Sequence, residues 1–205
     1  GFLNAARIKG THAAMRFNPA GMVTLNLGRR PEGPDEPDYF KGNGLDRGGG
    51  SPIFPAKPHV DGNFRAPTDV AFDSDDNIYI SDGYINSRIA KVDKNGKWLK
   101  SWGEPGNKPG QLNTPHNIAA DAQGNVYVAD RGNRRIQVFD GDGGLLREIR
   151  IDVPVDRDAQ PAIGSIPDVA RLEAAGSPLT MAPGAPWTVC ITPGPNQVLY
   201  TSDAY

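Results

Sequence analysis

Three side chains in the middle of the chain, Tyr84, His116 and Arg131, are of types that can do chemistry. An imidazole can bind a metal or move a proton near neutral pH, a phenol can move a proton or pack as an aromatic, and a guanidinium can hold an anion. Each also has a plainer reading. His116 can be a structural histidine facing water, Tyr84 a packed ring with a solvated hydroxyl, and Arg131 an ordinary surface cation. His12, in a predicted strand, and His59, in a predicted loop, are not read as ligands. No Ser-His-Asp order, phosphate-cradling glycine loop or Cys/His cluster competes with the three. The single cysteine, Cys190, excludes an internal disulfide and a cysteine-based zinc framework, and its apolar run predicts a buried, inert thiol.

Charge narrows the partners. Lys and Arg total 22 against 24 for Asp and Glu, so no cationic excess is present to hold nucleic acid or an anionic membrane surface. The apolar runs are strand-sized, well short of the roughly 18 residues that a membrane-spanning helix needs.

The elements that must position these side chains show as a repeat. Glycine (25) and proline (19) punctuate short runs rich in Val, Ile and Tyr, the pattern of many short strands joined by turns. Ala66-Pro67-Thr68-Asp69-Val70-Ala71-Phe72 lies over Thr114-Pro115-His116-Asn117-Ile118-Ala119-Ala120 at an offset of 48 residues. The register holds through Asn77-Ile78-Tyr79-Ile80-Ser81-Asp82 over Asn125-Val126-Tyr127-Val128-Ala129-Asp130. It then loses one residue, and Arg88-Ile89-Ala90-Lys91-Val92-Asp93 falls over Arg135-Ile136-Gln137-Val138-Phe139-Asp140.

One repeat reads as four antiparallel strands, a at about 68–72, b at 77–81, c at 88–92 and d at 97–102, which make one blade of a β-propeller. Asp76-Asn77 and Gly124-Asn125 supply turn chemistry between strands a and b, and Ile78, Ile80, Val126 and Val128 supply a buried face. The carboxylates of Asp82 and Asp130, at the ends of the two b strands, are expected to accept backbone hydrogen bonds in the following turn or to pair with Arg88 and Arg135. Arg134-Arg135 reads as part of a blade-edge ion pair rather than a binding patch.

The fold class is therefore all-β, a propeller of four-stranded blades. Residues 11–28 end one blade as strands c and d, 64–112 and 113–150 are full blades, and 186–205 begin another. Residues 29–63 and 151–185 are loop inserts, the second with a short helix near Pro167–Gly176. A closed ring takes about four to eight blades, so two full blades and two halves predict further blades on both sides.

Tyr-x-x-Asp closing strand b, Arg-Ile opening strand c and Trp102-Gly103 ending strand d resemble the NHL repeat. Further matches are Pro67-Thr68-Asp69-Val70-Ala71, Ser81-Asp82-Gly83-Tyr84-Ile85-Asn86-Ser87-Arg88-Ile89 and Ser101-Trp102-Gly103-Glu104. With Pro109-Gly110-Gln111, Pro115-His116 and Ala129-Asp130-Arg131, they resemble the peptidyl-α-hydroxyglycine α-amidating lyase family over residues 64–150. That resemblance implies a six-bladed propeller whose central channel holds zinc through three histidines. Each of these follows the proline that opens strand a on alternate blades. The corresponding slots here are Thr68, His116 and Trp187, so His116 would be one metal ligand and the other two would lie outside the chain.

The same resemblance makes Tyr84 the catalytic base and Arg131 a substrate-binding arginine. A phenol works as a base near neutral pH beside positive charge, which a metal and a guanidinium would supply. Arg65 and Ile85 stand where the animal lyases carry a paired disulfide, and the family's second arginine is absent. The implied reaction cleaves the N–C bond of a peptidyl α-hydroxyglycine to a peptide amide and glyoxylate. The alternative is a non-catalytic NHL propeller that binds a peptide, a protein or a carbohydrate across its face.

Overall fold

The computed structural model describes residues 2–3, 13–28, 59–151, 169–174 and 183–203. Four antiparallel sheets follow one another along the chain. The first contains β1 (Phe2–Leu3), β2 (Ala14–Phe17) and β3 (Val23–Leu27). The second is the meander β4 (Asp69–Phe72), β5 (Ile78–Asp82), β6 (Arg88–Val92) and β7 (Trp98–Trp102). The third repeats it with β8 (Pro115–Ala120), β9 (Val126–Asp130), β10 (Arg135–Phe139) and β11 (Leu145–Arg150). A short helix, α1 (Val169–Ala174), precedes the two-stranded sheet of β12 (Pro186–Ile191) and β13 (Leu199–Asp203). The two complete blades follow the strands expected from the repeat. Phe2–Leu3 pairs with β2, so the first sheet has one strand more than the two read from the sequence. Most of the two loop inserts, and His12, lie outside the described residues.

Identical chemistry shapes the a–b and c–d turns of the two complete blades. In the a–b turns an aspartate side chain accepts two backbone N–H groups, Asp73 from Asp75 and Asn77 and Asp121 from Gln123 and Asn125. Asp93 and Asp140 repeat the arrangement between strands c and d. Such carboxylate turns stop one strand and aim the next. The left-handed residue that the a–b turn needs is Asp76 in one blade, at φ +63°, and Gly124 in the other, at φ +81°.

Strands b and c are buried on both faces, because every described core lies between two blades. Ile78 and Ile80 face Ala14, Leu27 and Phe64 on the N-terminal side, while Tyr79 faces Ile118, Val126, Val128 and Phe139 on the other. One blade on, Val126 and Val128 point back and Tyr127 and Ala129 point forward to Val189. The period-2 alternation thus serves two interfaces rather than one wet and one dry face.

Cys190 departs from its expected burial. On β12 Val189 takes the core side, the next residue points the other way, and the thiol is exposed.

Candidate functional site

The first strand of each blade starts from a backbone that turns sharply. Ala66 and Thr114, at φ +59° and +53°, precede Pro67 and Pro115, a left-handed geometry costing on the order of 1 kcal/mol for a residue with a Cβ. Beyond the two prolines, Thr68 and His116 meet the neighbouring strand. Thr68 donates its hydroxyl to the Pro115 carbonyl at 2.8 Å, and His116 Nδ1 lies 2.9 Å from the Trp187 carbonyl. A carbonyl can only accept, so Nδ1 carries the proton and the lone pair of the neutral ring lies on Nε2. Metal-bound histidines are commonly held in this way, by a backbone carbonyl on the other ring nitrogen.

A second row of bonds runs one residue further along. Asp69 Oδ2 accepts the Ile118 N–H at 3.1 Å and the Asn117 side-chain amide, and Asn117 Oδ1 accepts the Val189 N–H at 2.5 Å. Three successive innermost strands, β4, β8 and β12, are thereby cross-tied by side chains, with His116 in the middle one.

Tyr84 comes from the b–c turn of the preceding blade. Gly83 allows that turn to lie against the next strand, because a Cβ there would run into the Pro115 carbonyl oxygen. The Tyr84 ring meets His116 edge to face, with centroids 6.0 Å apart and planes at 82°. Arg131 starts the equivalent b–c turn one blade on, a 3₁₀ turn over Arg131–Asn133. Its guanidinium hydrogen-bonds Tyr84 and lies 3.6 Å above the centre of the Trp187 indole. The Trp187 ring in turn stands 4.9 Å from the His116 ring, centre to centre. The three residues singled out in the sequence are therefore in one cluster, and Trp187 is its fourth member.

Burial pulls the proton affinity of His116 below its ordinary value, and the Arg131 charge acts the same way, against the Trp187 carbonyl and Asp69. Burial likewise lowers Arg131, opposed by Tyr84. Arg131 is 2% exposed, so it is not a surface cation.

His59 lies apart from the cluster, with Nε2 donating to the Asn86 carbonyl at 2.9 Å. Among the described residues no three His, Cys, Asp or Glu side chains gather where they could hold a metal ion. The slots along strand a were legible in the sequence, but Trp187 counted there only as a slot without a histidine, and Asp69 as strand. Aligning the position after each slot would have exposed Asp69 and Asn117, two consecutive side-chain oxygens with the same task.

Residues 112–139 match the family model described as the NHL repeat. The second complete blade thus carries an NHL repeat, and the first repeats its sequence at an offset of 48 residues. Among curated proteins, the human NHL repeat-containing protein 3 is 42% identical over 83 residues, covering 40% of this chain and 24% of that protein. The mouse peptidyl-glycine alpha-amidating monooxygenase is 43% identical over 102 residues, 46% of this chain and 10% of that protein. The probable peptidyl-alpha-hydroxyglycine alpha-amidating lyase of Caenorhabditis elegans is 38% identical over 80 residues, 38% of this chain and 23% of that protein. The chain thus spans a quarter or less of the length of these relatives. It resembles proteins named for amidation and one named for its repeat alone. No described helix of these blades is long and apolar enough to cross a membrane.

Proposed function

We propose that these blades belong to a propeller that cleaves the N–C bond of a peptidyl α-hydroxyglycine, releasing a peptide amide and glyoxylate. The observation that carries this reading is the convergence of Tyr84, His116 and Arg131 from two blades, with Tyr84 touching the His116 ring and bonded to Arg131. Relatives named for amidation support the choice of reaction.

In this reading Tyr84 takes the proton of the substrate hydroxyl. The O–H electron pair becomes the carbonyl of glyoxylate, the N–C pair moves to nitrogen, and nitrogen takes a proton to complete the amide. Arg131, donating to the phenol oxygen, holds that oxygen in place for the transfer. His116 would hold zinc through Nε2 as one ligand of three. A zinc ion, when bound, supplies a Lewis acid for the substrate hydroxyl. The Trp187 indole and the Tyr84 ring wall the cluster and limit water beside the exchanging proton.

The test uses the full-length protein. Metal analysis should find zinc that is lost in His116→Ala, and a model N-acyl-α-hydroxyglycine should release glyoxylate at a rate that Tyr84→Phe lowers by about 10²- to 10⁴-fold. Absence of His116-dependent zinc together with no glyoxylate overturns the lyase reading in favour of a propeller that binds a peptide, a protein or a carbohydrate without catalysis.

A further inference from the structure

We infer that Trp187 is the positioning residue of the cluster: its ring and its carbonyl hold Arg131 and His116 in the orientations in which they meet Tyr84. This deepens the lyase reading and rests on it for one arm of the test below.

Trp187 touches two of the three residues directly. Its carbonyl receives the His116 Nδ1 proton at 2.9 Å and so directs the ring's lone pair to Nε2. Its indole face carries the Arg131 guanidinium at 3.6 Å, a close and largely water-free cation–π contact, the kind that contributes most. Stacking fixes the plane of the guanidinium and therefore the direction of its N–H groups, one of which serves Tyr84. The indole edge also limits rotation of the His116 ring.

Among the described residues the Trp187 indole makes its contacts through its ring, and its buried Nε1 makes no hydrogen bond, a feature it shares with the core residue Trp102. Phenylalanine keeps a face for Arg131 and leaves no donor unsatisfied, whereas leucine keeps apolar bulk and loses the face. The carbonyl bond to His116 survives in both.

Trp187→Phe and Trp187→Leu are compared in the full-length protein, with unfolding curves to verify that both fold. The first measurement is the Arg131 Nε–H resonance in ¹⁵N-arginine protein, assigned through Arg131→Lys. The ring current of an aromatic face moves it upfield in the wild type and in Trp187→Phe, and Trp187→Leu should abolish that shift. The second is glyoxylate release. Trp187→Leu should lower kcat by about tenfold to a hundredfold with little change in KM, and Trp187→Phe should recover most of the loss.

An unchanged Arg131 resonance in Trp187→Leu overturns the inference whether or not the protein turns over substrate. So does a Trp187→Phe variant as impaired as Trp187→Leu. A wild-type protein without turnover overturns the lyase reading alone, and the resonance then decides the role of Trp187.

Discussion

At the residue scale, His116 is an imidazole drawn away from water and set near a guanidinium, two conditions that disfavour its cation. A lowered affinity for protons keeps the ring neutral and its Nε2 lone pair available at neutral pH. Titration of the metal-free, chelator-treated protein, followed by imidazole carbon shifts, should place the His116 midpoint below 6.5. The consequence for stability has a definite sign. Below pH 6.5 the unfolded chain takes up this proton before the folded one does, so the histidine's contribution is present above that pH and is lost on acidification. A midpoint at or above 6.5 would remove both the buried setting and the neutral ligand. The sequence pointed to His116, Tyr84 and Arg131 through motif positions. It could not reveal that Arg131 is buried, because its cover comes from Trp187, 56 residues later in the chain. The exposure of Cys190 was illegible for a related reason, since an apolar run does not say which residue of a strand takes the core side.

At the element scale, the b–c turns that carry Tyr84 and Arg131 are anchored by the last residue of strand b. Asp82 accepts the Arg65 N–H, the Asn86 amide and Arg88 Nε, and Asp130 accepts the Asn113 N–H, the Asn133 amide, Arg135 Nε and the Gln137 amide. The two arginines reach back in parallel, Arg88 to the carbonyls of Val60 and Asn63 and Arg135 to those of Lys108 and Gln111. Each aspartate–arginine pair thus ties the strand-b end and the following turn to the segment entering strand a. The sequence made the ion pairs legible through the repeat. It misplaced the backbone donors, which precede strand a instead of following strand b, since sheet pairing and not sequence proximity brings them together.

Burial pushes the Asp130 carboxyl up to about 6 despite its hydrogen bonds, so the carboxyl is half protonated at that pH and the pair with Arg135 becomes fully charged only well above it. At pH 7.5, Asp130→Ala should destabilise the protein by about 3–5 kcal/mol in urea unfolding, because Arg135 would stay buried with its main counter-charge gone. An effect below about 1 kcal/mol would mean that Glu148, 2.8 Å from Arg135 Nη1, carries the pair alone.

At the scale of the whole molecule, the cores described lie between blades, so each blade is stable only against its neighbours. The repeat made one buried face legible, that of Ile78, Ile80, Val126 and Val128, but not the second, because Tyr79, Tyr127 and Ala129 are buried only by the blade that follows. Apolar packing alone tolerates small slides between sheets, and the polar cross-ties fix the register along the inner strands. Asp69 is the decisive one. Asp69→Ala removes the acceptor of both the Ile118 N–H and the Asn117 amide, and Asn117 is itself the acceptor for Val189. The expected loss is about 1–3 kcal/mol, with amide exchange of Ile118 and Val189 accelerated together although Val189 is two blades from the substitution.

Asp93→Ala provides the contrast. Its carboxylate accepts two backbone N–H groups, but both belong to its own exposed turn, so the change should stay local and near 1 kcal/mol or less. If Asp69→Ala were equally local, with Val189 exchange unmoved, the inner strands would be held by packing alone. The alignment of His116 with Tyr84 across the blade boundary would then need another cause.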